Sequence, residues 1–260
     1  MNFFYNKTRI RSSIFGILAL ITVVFLQTKA WAETVSVWVY HDFPPYIVNA
    51  DTKHGMSYDL AHLLSEMSNG KFQFEVEVLP RERLNQRIIS GDPGIVLWVN
   101  NAWFGDKDKT KFLWSEPILH DQNAVISPAD FPFDYKEPQT LLGMELICVR
   151  GHHYEGVEPL IQQGAVTRID MNAEGHLIQY IASGRGRVAI VANSAAQYFV
   201  RELNLRDKIY FSPKSHSTYE RYILVQPQMK ALDAFLEAAM LELQQENTWG
   251  TVLGIYGLSN

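Results

Sequence analysis

Cysteine is nearly absent: Cys148 stands alone among 260 residues, so no disulfide within the chain holds it together. Positive charge is in deficit, with 23 Lys and Arg against 28 Asp and Glu and a formal charge of −5. That balance is a poor footprint for a protein that tracks nucleic-acid phosphates. A bilayer-spanning helix needs ~20 apolar residues. The most apolar run, Ile14–Leu26, has thirteen. The G-x-S-x-G elbow, the H-E-x-x-H helix, the P-loop and the dinucleotide fingerprint are all missing. What is there is 47% hydrophobic and 20% charged, a globular composition with enough apolar side chains for a sizeable core. The length fits one large domain or two small ones.

The first residues read as an address. Lys7, Arg9 and Arg11 form a basic start with no acid before Glu33, the apolar run follows, and Ala30-Trp31-Ala32 places small residues where a signal peptidase needs them. Residues 1–32 are therefore expected to be a signal peptide cut between Ala32 and Glu33. No Cys lies near that junction for lipid attachment, so the mature protein is expected free in a bacterial periplasm. Cleavage takes four of the 23 basic residues and none of the 28 acids, leaving a net charge of −9. Such a surface favours neither anionic lipid nor nucleic acid.

Beyond the leader, strand and helix patterns alternate. Val35–Tyr40 is β-branched and aromatic, and stops at Asp42-Phe43-Pro44-Pro45, where two prolines forbid helix and ladder alike. Met56, Leu60, Leu63, Leu64 and Met67 fall at helical spacing between Gly55 and Ser68, with Ser57 as the expected N-cap. Phe72–Leu79 alternates as a strand, and Leu84, Ile88 and Ile89 mark a helix ended by Ser90-Gly91. Ile95–Val99 is a short apolar strand. Alternation of this kind implies a parallel sheet flanked by helices, with ligands bound beyond the carboxyl ends of the strands. Weight therefore falls on the loops at 40–46 and 98–105. An internal echo relates Arg87–Trp98 to Tyr180–Val191, each a helix end, a Ser-Gly turn and a buried strand, as in two lobes of similar plan. Two extended segments, 123–127 and 219–225, link those lobes like a hinged clamp.

Taken in order, several pieces resemble the periplasmic solute-binding proteins of family 3, the amino-acid-type receptors of ABC importers. They are the strand with Phe43-Pro44-Pro45-Tyr46, the helix opened by Gly55-x3-Asp59-Leu60-Ala61, the Ser90-Gly91 turn and Trp114-Ser115-Glu116-Pro117 before an extended hinge. Val149-Arg150-Gly151 opening a helix, Gly184–Val191 and Asn247-Thr248-Trp249-Gly250-Thr251 complete the set. The resemblance spans the whole mature chain. It implies an α/β, two-lobed type II periplasmic-binding-protein-like fold, each lobe a central sheet flanked by helices, joined by a two-strand hinge. Lobe 1 would comprise 33–119 plus 220–260 and lobe 2 120–219, with hinge segments near 119–127 and 215–222.

The resemblance also distributes site residues. The family stacks its ligand on the aromatic before the proline pair, here Phe43; where a second aromatic sits, this chain has Arg81, close to Arg83. The loop that normally supplies an Arg for an α-carboxylate holds Asn100, Asn101 and Trp103 and no Arg, and the Asp that meets an α-ammonium is replaced by Asn193. With both anchors missing, an ordinary α-amino acid is not the expected ligand. Gly151, His152 and His153 lie where the family offers helix N–H groups to an anion; Arg81, Arg83 and Arg150 add positive charge, and Phe43, Trp98 and Trp103 supply flat walls. The expected function is a periplasmic receptor that closes on a small polar or carboxylate-bearing ligand for ABC import or sensing. Its partners would be that ligand and a membrane permease or the periplasmic domain of a sensor kinase, with the receptor itself a monomer. The alternatives are a dehydratase or isomerase on the same fold, of the cyclohexadienyl dehydratase kind, and a sensory module without a small ligand. No cofactor is expected, nor a metal: adjacent His152 and His153 point about 100° apart on a helix, with no third ligand at a useful spacing.

Overall fold

The computed structural model describes residues 32–259; the expected leader, apart from Ala32, lies outside them. Ten strands join into one curled sheet in the order β2-β1-β3-β10-β5-β8-β6-β7, with β4 (Leu113–Trp114) paired to β10 and β9 (Ile209–Phe211) to β5. In the first lobe, β1 (Glu33–Val39) lies parallel to β2 (Phe72–Val78) and β3 (Ile95–Val99), and α1 (Met56–Met67) and α2 (Arg81–Ser90) make the crossovers. In the second, β6 (Glu145–Val149) lies parallel to β7 (Thr167–Met171) and β8 (Val188–Ala192), with α3 (Glu158–Gln162) and α4 (Glu174–Ala182) between strands and α5 (Asn193–Glu202) directly after β8.

Two strands run through both lobes. Ser217–Arg221 of β10 (Ser217–Val225) pairs with Leu119–Asn123 of β5 (Leu119–Pro128), while Tyr222–Val225 pairs with β3; β5 goes on to pair with β8 through Asn123–Ile126. The tail, α6 (Lys230–Gln245) and α7 (Thr248–Ile255), returns to the first lobe.

Period-two alternation assigns each strand's side chains to opposite layers. Val35, Val37 and Val39 of β1 face a core shared with Leu60 and Leu64 of α1 and with Leu236, Met240, Trp249 and Leu253 of the tail, whereas Trp38 points to the other face against Leu84, Ile88 and Val96. In β8, Ala189 and Val191 join Leu177 and Ile178, and Val188 and Ile190 join Leu146 and the buried Cys148. Burying both faces of these inner strands is the dominant favourable contribution, ~25 cal/mol per Å² of apolar surface.

The internal echo is visible as structure: α2 and α4 each end before a glycine in the left-handed region, Gly91 at φ 71° and Gly184 at φ 72°, that turns the chain into an inner strand. Two local expectations differ. The N-cap of α1 is Gly55 rather than Ser57. At φ 138° with Tyr46 O 2.6 Å from where a Cβ would stand, the position admits only glycine. Gly151 opens a turn at φ 80°, not a helix; the next helix starts at Glu158 and is five residues long.

Candidate functional site

The lobes meet around the loop that follows β1. Tyr46, wholly buried, is set there by the proline pair and by Gly55 pressed beneath its carbonyl. Its hydroxyl lies 2.8 Å from Ser194 Oγ at the head of α5 and donates to Asp121 Oδ2 at 3.1 Å. Ser194 donates through Oγ to Asp121 Oδ2 at 2.8 Å and through its backbone N to Oδ1 at 3.2 Å. Asp121 on β5 also accepts the Nε–H of Arg221 on β10 at 2.8 Å, an ion pair with side chains 1% and 2% exposed. Buried charges of this kind persist only when their remaining donors are satisfied. Here Arg221 Nη1 donates to the Trp98 carbonyl at 2.8 Å and to His41 Nε2 at 3.1 Å, and Nη2 to the Tyr219 hydroxyl at 3.2 Å. Burial opposes the guanidinium charge, but Tyr46, Tyr219 and Asp121 more than offset it and hold its pKa above the ordinary value.

His41 is the unusual member of this group. A guanidinium has only donors, so Nε2 must accept and the ring proton sits on Nδ1. That Nδ1 is buried and has no hydrogen-bond partner. The ring lies 4.1 Å from Tyr40, 5.3 Å from Tyr46, 5.7 Å from Phe43 and 6.1 Å from Trp103, centroid to centroid. Burial first, then the charges of Arg221, His152 and Arg81, push its pKa well below the ordinary histidine value, so it is neutral. An unpaired donor in this setting costs ~1–3 kcal/mol unless an acceptor reaches it.

The residues expected from sequence divide into three groups. Phe43, Arg81, Trp103 and His152 gather around the centre. Phe43 meets His41 and Tyr46 edge to face, and Arg81 lies over the Tyr40 ring at 4.8 Å and donates to the Trp103 carbonyl at 2.8 Å. Trp103, 38% exposed, packs edge to face on Tyr219. His152, half-buried, is held below the usual histidine range by burial and then by Arg221. A second group is structural in its contacts. The Trp98 ring is fully buried, stacked on Trp249 and donating to Ser57 Oγ at 2.8 Å. Asn100 caps the short 3-10 turn at 101–104 and donates to the Glu220 carbonyl; Asn101 donates to the carbonyls of Asp106 and Lys107; Asn193 accepts from Gln197 one helical turn on. In the third group, Arg83, Arg150, Gly151 and His153 are exposed, His153 lying 3.6 Å from Glu158.

Sequence reasoning passed over His41 as a ligand-site residue and missed Tyr46, Asp121, Ser194, Tyr219 and Arg221. One signal was present for Arg221: a lone cation in a run that continues into Tyr-Ile-Leu-Val demands a buried partner. Nothing near it in the chain names Asp121, one hundred residues earlier. Behind the junction a cavity of about 270 Å³ lies between the head of α5 and the tail, lined among others by Asp121, Asn193, Ser194 and Gly257.

This architecture, two α/β lobes crossed by two strands with the tail completing the first, is the type II periplasmic-binding-protein fold. Among solved structures the chain is similar to an ancestral arginine-binding protein with arginine bound, at 17% identity and a TM-score of 0.65 over 87% of this chain and 99% of that one. It is similar to an ancestral cationic amino acid solute-binding protein at 13% identity and a TM-score of 0.67, over 86% and 96% of the two chains. A histidine kinase sensor domain resembling periplasmic binding proteins matches at 17% identity and a TM-score of 0.63, over 87% and 96%. At these identities the likeness is one of fold. No protein-family model matches the chain, and no curated protein matches its sequence. Among the described residues no helix is long and apolar enough to cross a membrane.

Proposed function

We propose that the protein is an exported ligand-binding receptor, cut between Ala32 and Glu33, that closes two lobes (33–119 with 220–260, and 120–219) on a small carboxylate-bearing or similarly polar ligand. One observation supports this above the others: the buried, unpartnered Nδ1–H of His41 among aromatic rings, beside Arg81 and Arg221. It is a donor without an acceptor in a positive, apolar-walled setting, and a ligand oxygen satisfies it. Phe43 and Trp103 form the walls, and His152 approaches from the second lobe. The central carboxylate, Asp121, is occupied by five donors from four residues, which favours binding over general-acid chemistry. A ligand bridging both lobes shifts an open–closed equilibrium, and the closed form is what a permease or a sensor kinase would recognise. Binding proteins and a sensor domain among the similar folds agree with either destination.

Thermal melts and calorimetry of the mature, monomeric protein against a panel of small carboxylates test the reading. A ligand at a hundred times its dissociation constant adds ~2.7 kcal/mol. The Tyr46–Ser194–Asp121 contacts favour a second reading, a sensory module whose lobes are tied by its own side chains. No stabilisation by any carboxylate, with a closed shape in solution regardless, would establish that one instead.

A further inference from the structure

The polar groups at the lobe junction are arranged around a single side chain. The guanidinium carbon of Arg221 lies 4.9 Å from the centre of the Tyr46 ring, 5.1 Å from Tyr219 and 5.4 Å from Trp103. Asp121 takes its Nε–H, and the Trp98 carbonyl, the neutral His41 ring and the Tyr219 hydroxyl take three of the other four N–H groups. Aromatic faces with a carboxylate are the components that hold a free guanidinium, by cation–π attraction and charge-assisted hydrogen bonding. The backbone is bent to the same end. Trp98 stands at φ 65°, a left-handed conformation rare for so bulky a residue, and its carbonyl is the one that receives Arg221. Strain of that kind persists where surrounding contacts require it. A second cation, Arg81, lies against Tyr40 and Phe104 at 4.8 and 4.2 Å, on the side of His41 and Trp103.

We propose that Arg221 is a tethered guanidinium that fills an aromatic cage at the lobe junction and thereby bars cationic guests from the cleft, making it the residue that sets selectivity for oxygen anions. A positively charged ligand entering beside Phe43 and Trp103 would find the cage occupied and two like charges already in place, whereas a carboxylate meets those charges and the His41 N–H. The selectivity claim rests on the receptor reading; the cage itself does not.

Emptying the cage tests both parts. Arg221→Ala should melt on the order of ten degrees below the parent protein, because Asp121 is left buried and unpaired. Millimolar methylguanidinium should raise the melting temperature of Arg221→Ala by several degrees over an equal concentration of sodium chloride or urea. It should leave the parent unmoved and fail on Asp121→Asn/Arg221→Ala, which lacks the carboxylate. If Arg221→Ala is not obtained folded, its refolding yield with and without methylguanidinium is the readout, expected to rise several-fold. No rescue of Arg221→Ala by either measure, or equal stabilisation of the parent, overturns the proposal. Rescue of the variant while the parent ignores every carboxylate would sustain the cage and instead sink the receptor reading.

Discussion

The hydroxyls of Tyr46 and Ser194 meet at 2.8 Å where the loop after β1 touches the head of α5, and both also reach the same oxygen of Asp121, at 3.1 and 2.8 Å. Two hydroxyl protons serve three oxygen–oxygen contacts, so only two of the three are hydrogen bonds at any instant. The first lobe is thereby joined to the second through a carboxylate on a strand that belongs to both. Behind this tie, Arg201 of α5 donates to the carbonyls of Gly254 and Ile255 at the end of α7.

Ser194→Ala removes one hydroxyl from this triangle and leaves the Arg221–Asp121 pair in place. We expect a loss of about 1–2 kcal/mol in urea denaturation, the range for a buried hydrogen bond whose partners keep other contacts. Because the lost bond spans the lobes, the radius of gyration in solution scattering should also rise. A stability loss with no change in radius would mean that the triangle supports the fold without holding the lobes together.

The two tryptophans nearest the junction should separate stability from binding. Trp98, wholly buried against Trp249, should cost about 3–5 kcal/mol as Trp98→Ala through cavity formation. Trp103 is 38% exposed, edge to face with Tyr219 and tilted against the His41 ring, so Trp103→Ala should cost under about 1 kcal/mol yet weaken ligand binding at least tenfold. Denaturation curves and calorimetry on the pair settle it; a Trp103→Ala protein that binds like the parent would remove that side chain from the cleft wall.

Most of the scaffold was legible because its signals are local. Val35, Val37 and Val39 alternate in the sequence as they do in the sheet, Leu60 and Leu64 keep helical spacing, and the glycines after α2 and α4 mark turns that need φ > 0. The centre of the site was not, since its pairings are tertiary. Asp121 meets Arg221 across one hundred residues, and Tyr46 meets Ser194 across 148. Ser57 illustrates the same limit. Its type and place suit an N-cap, yet a glycine forced by the Tyr46 carbonyl takes that role and Ser57 turns inward to accept the Trp98 indole. The turn at Gly151 has the local look of a helix opening, but Gly151 and Gly156 both stand at positive φ and Tyr154 and Val157 turn into the second lobe's core between and beside them, so the helix begins at Glu158.

Acid should weaken the protein through the buried His41 and the half-buried His152. His41 is held below the usual range by burial and then by Arg221, and His152 by the same two causes in the same order. Unfolded, each takes up a proton as the pH falls through ~6.5; folded, each resists until the pH is lower. The unfolded state then binds more protons, so stability present above the histidine range is lost below it, by up to ~1.4 kcal/mol per pH unit for each group. His41→Gln, whose amide oxygen replaces the acceptor for Arg221, should be less stable than the parent at neutral pH but lose less on acidification. Urea titrations of both proteins on either side of that range give the comparison, and identical losses would show that His41 is protonated alike in both states.

The loop carrying Trp103 depends on a single carboxylate. Asp106, 2% exposed, accepts through Oδ1 from the backbone of Thr110 and Lys111, and through Oδ2 from the backbone of Phe112 and the indole of Trp114. Burial alone would raise its pKa, but the hydrogen bonds from Trp114, Lys111, Thr110 and Phe112 outweigh it and hold the group ionised below the ordinary carboxylate range. Asn101 then fastens the 3-10 turn to this loop through the carbonyls of Asp106 and Lys107. In Asp106→Asn one acceptor oxygen becomes an NH₂ aimed at two donors, so we expect a loss of about 2–4 kcal/mol. The contribution in the parent is present above the carboxylate range and fades as the pH falls through the lowered pKa, a dependence the variant should lack. With the brace gone, hydrogen exchange at 107–114 should accelerate and ligand affinity should fall with Trp103 itself intact. Unchanged exchange in that segment would mean that the backbone of the loop, not its central carboxylate, sets the wall of the cleft.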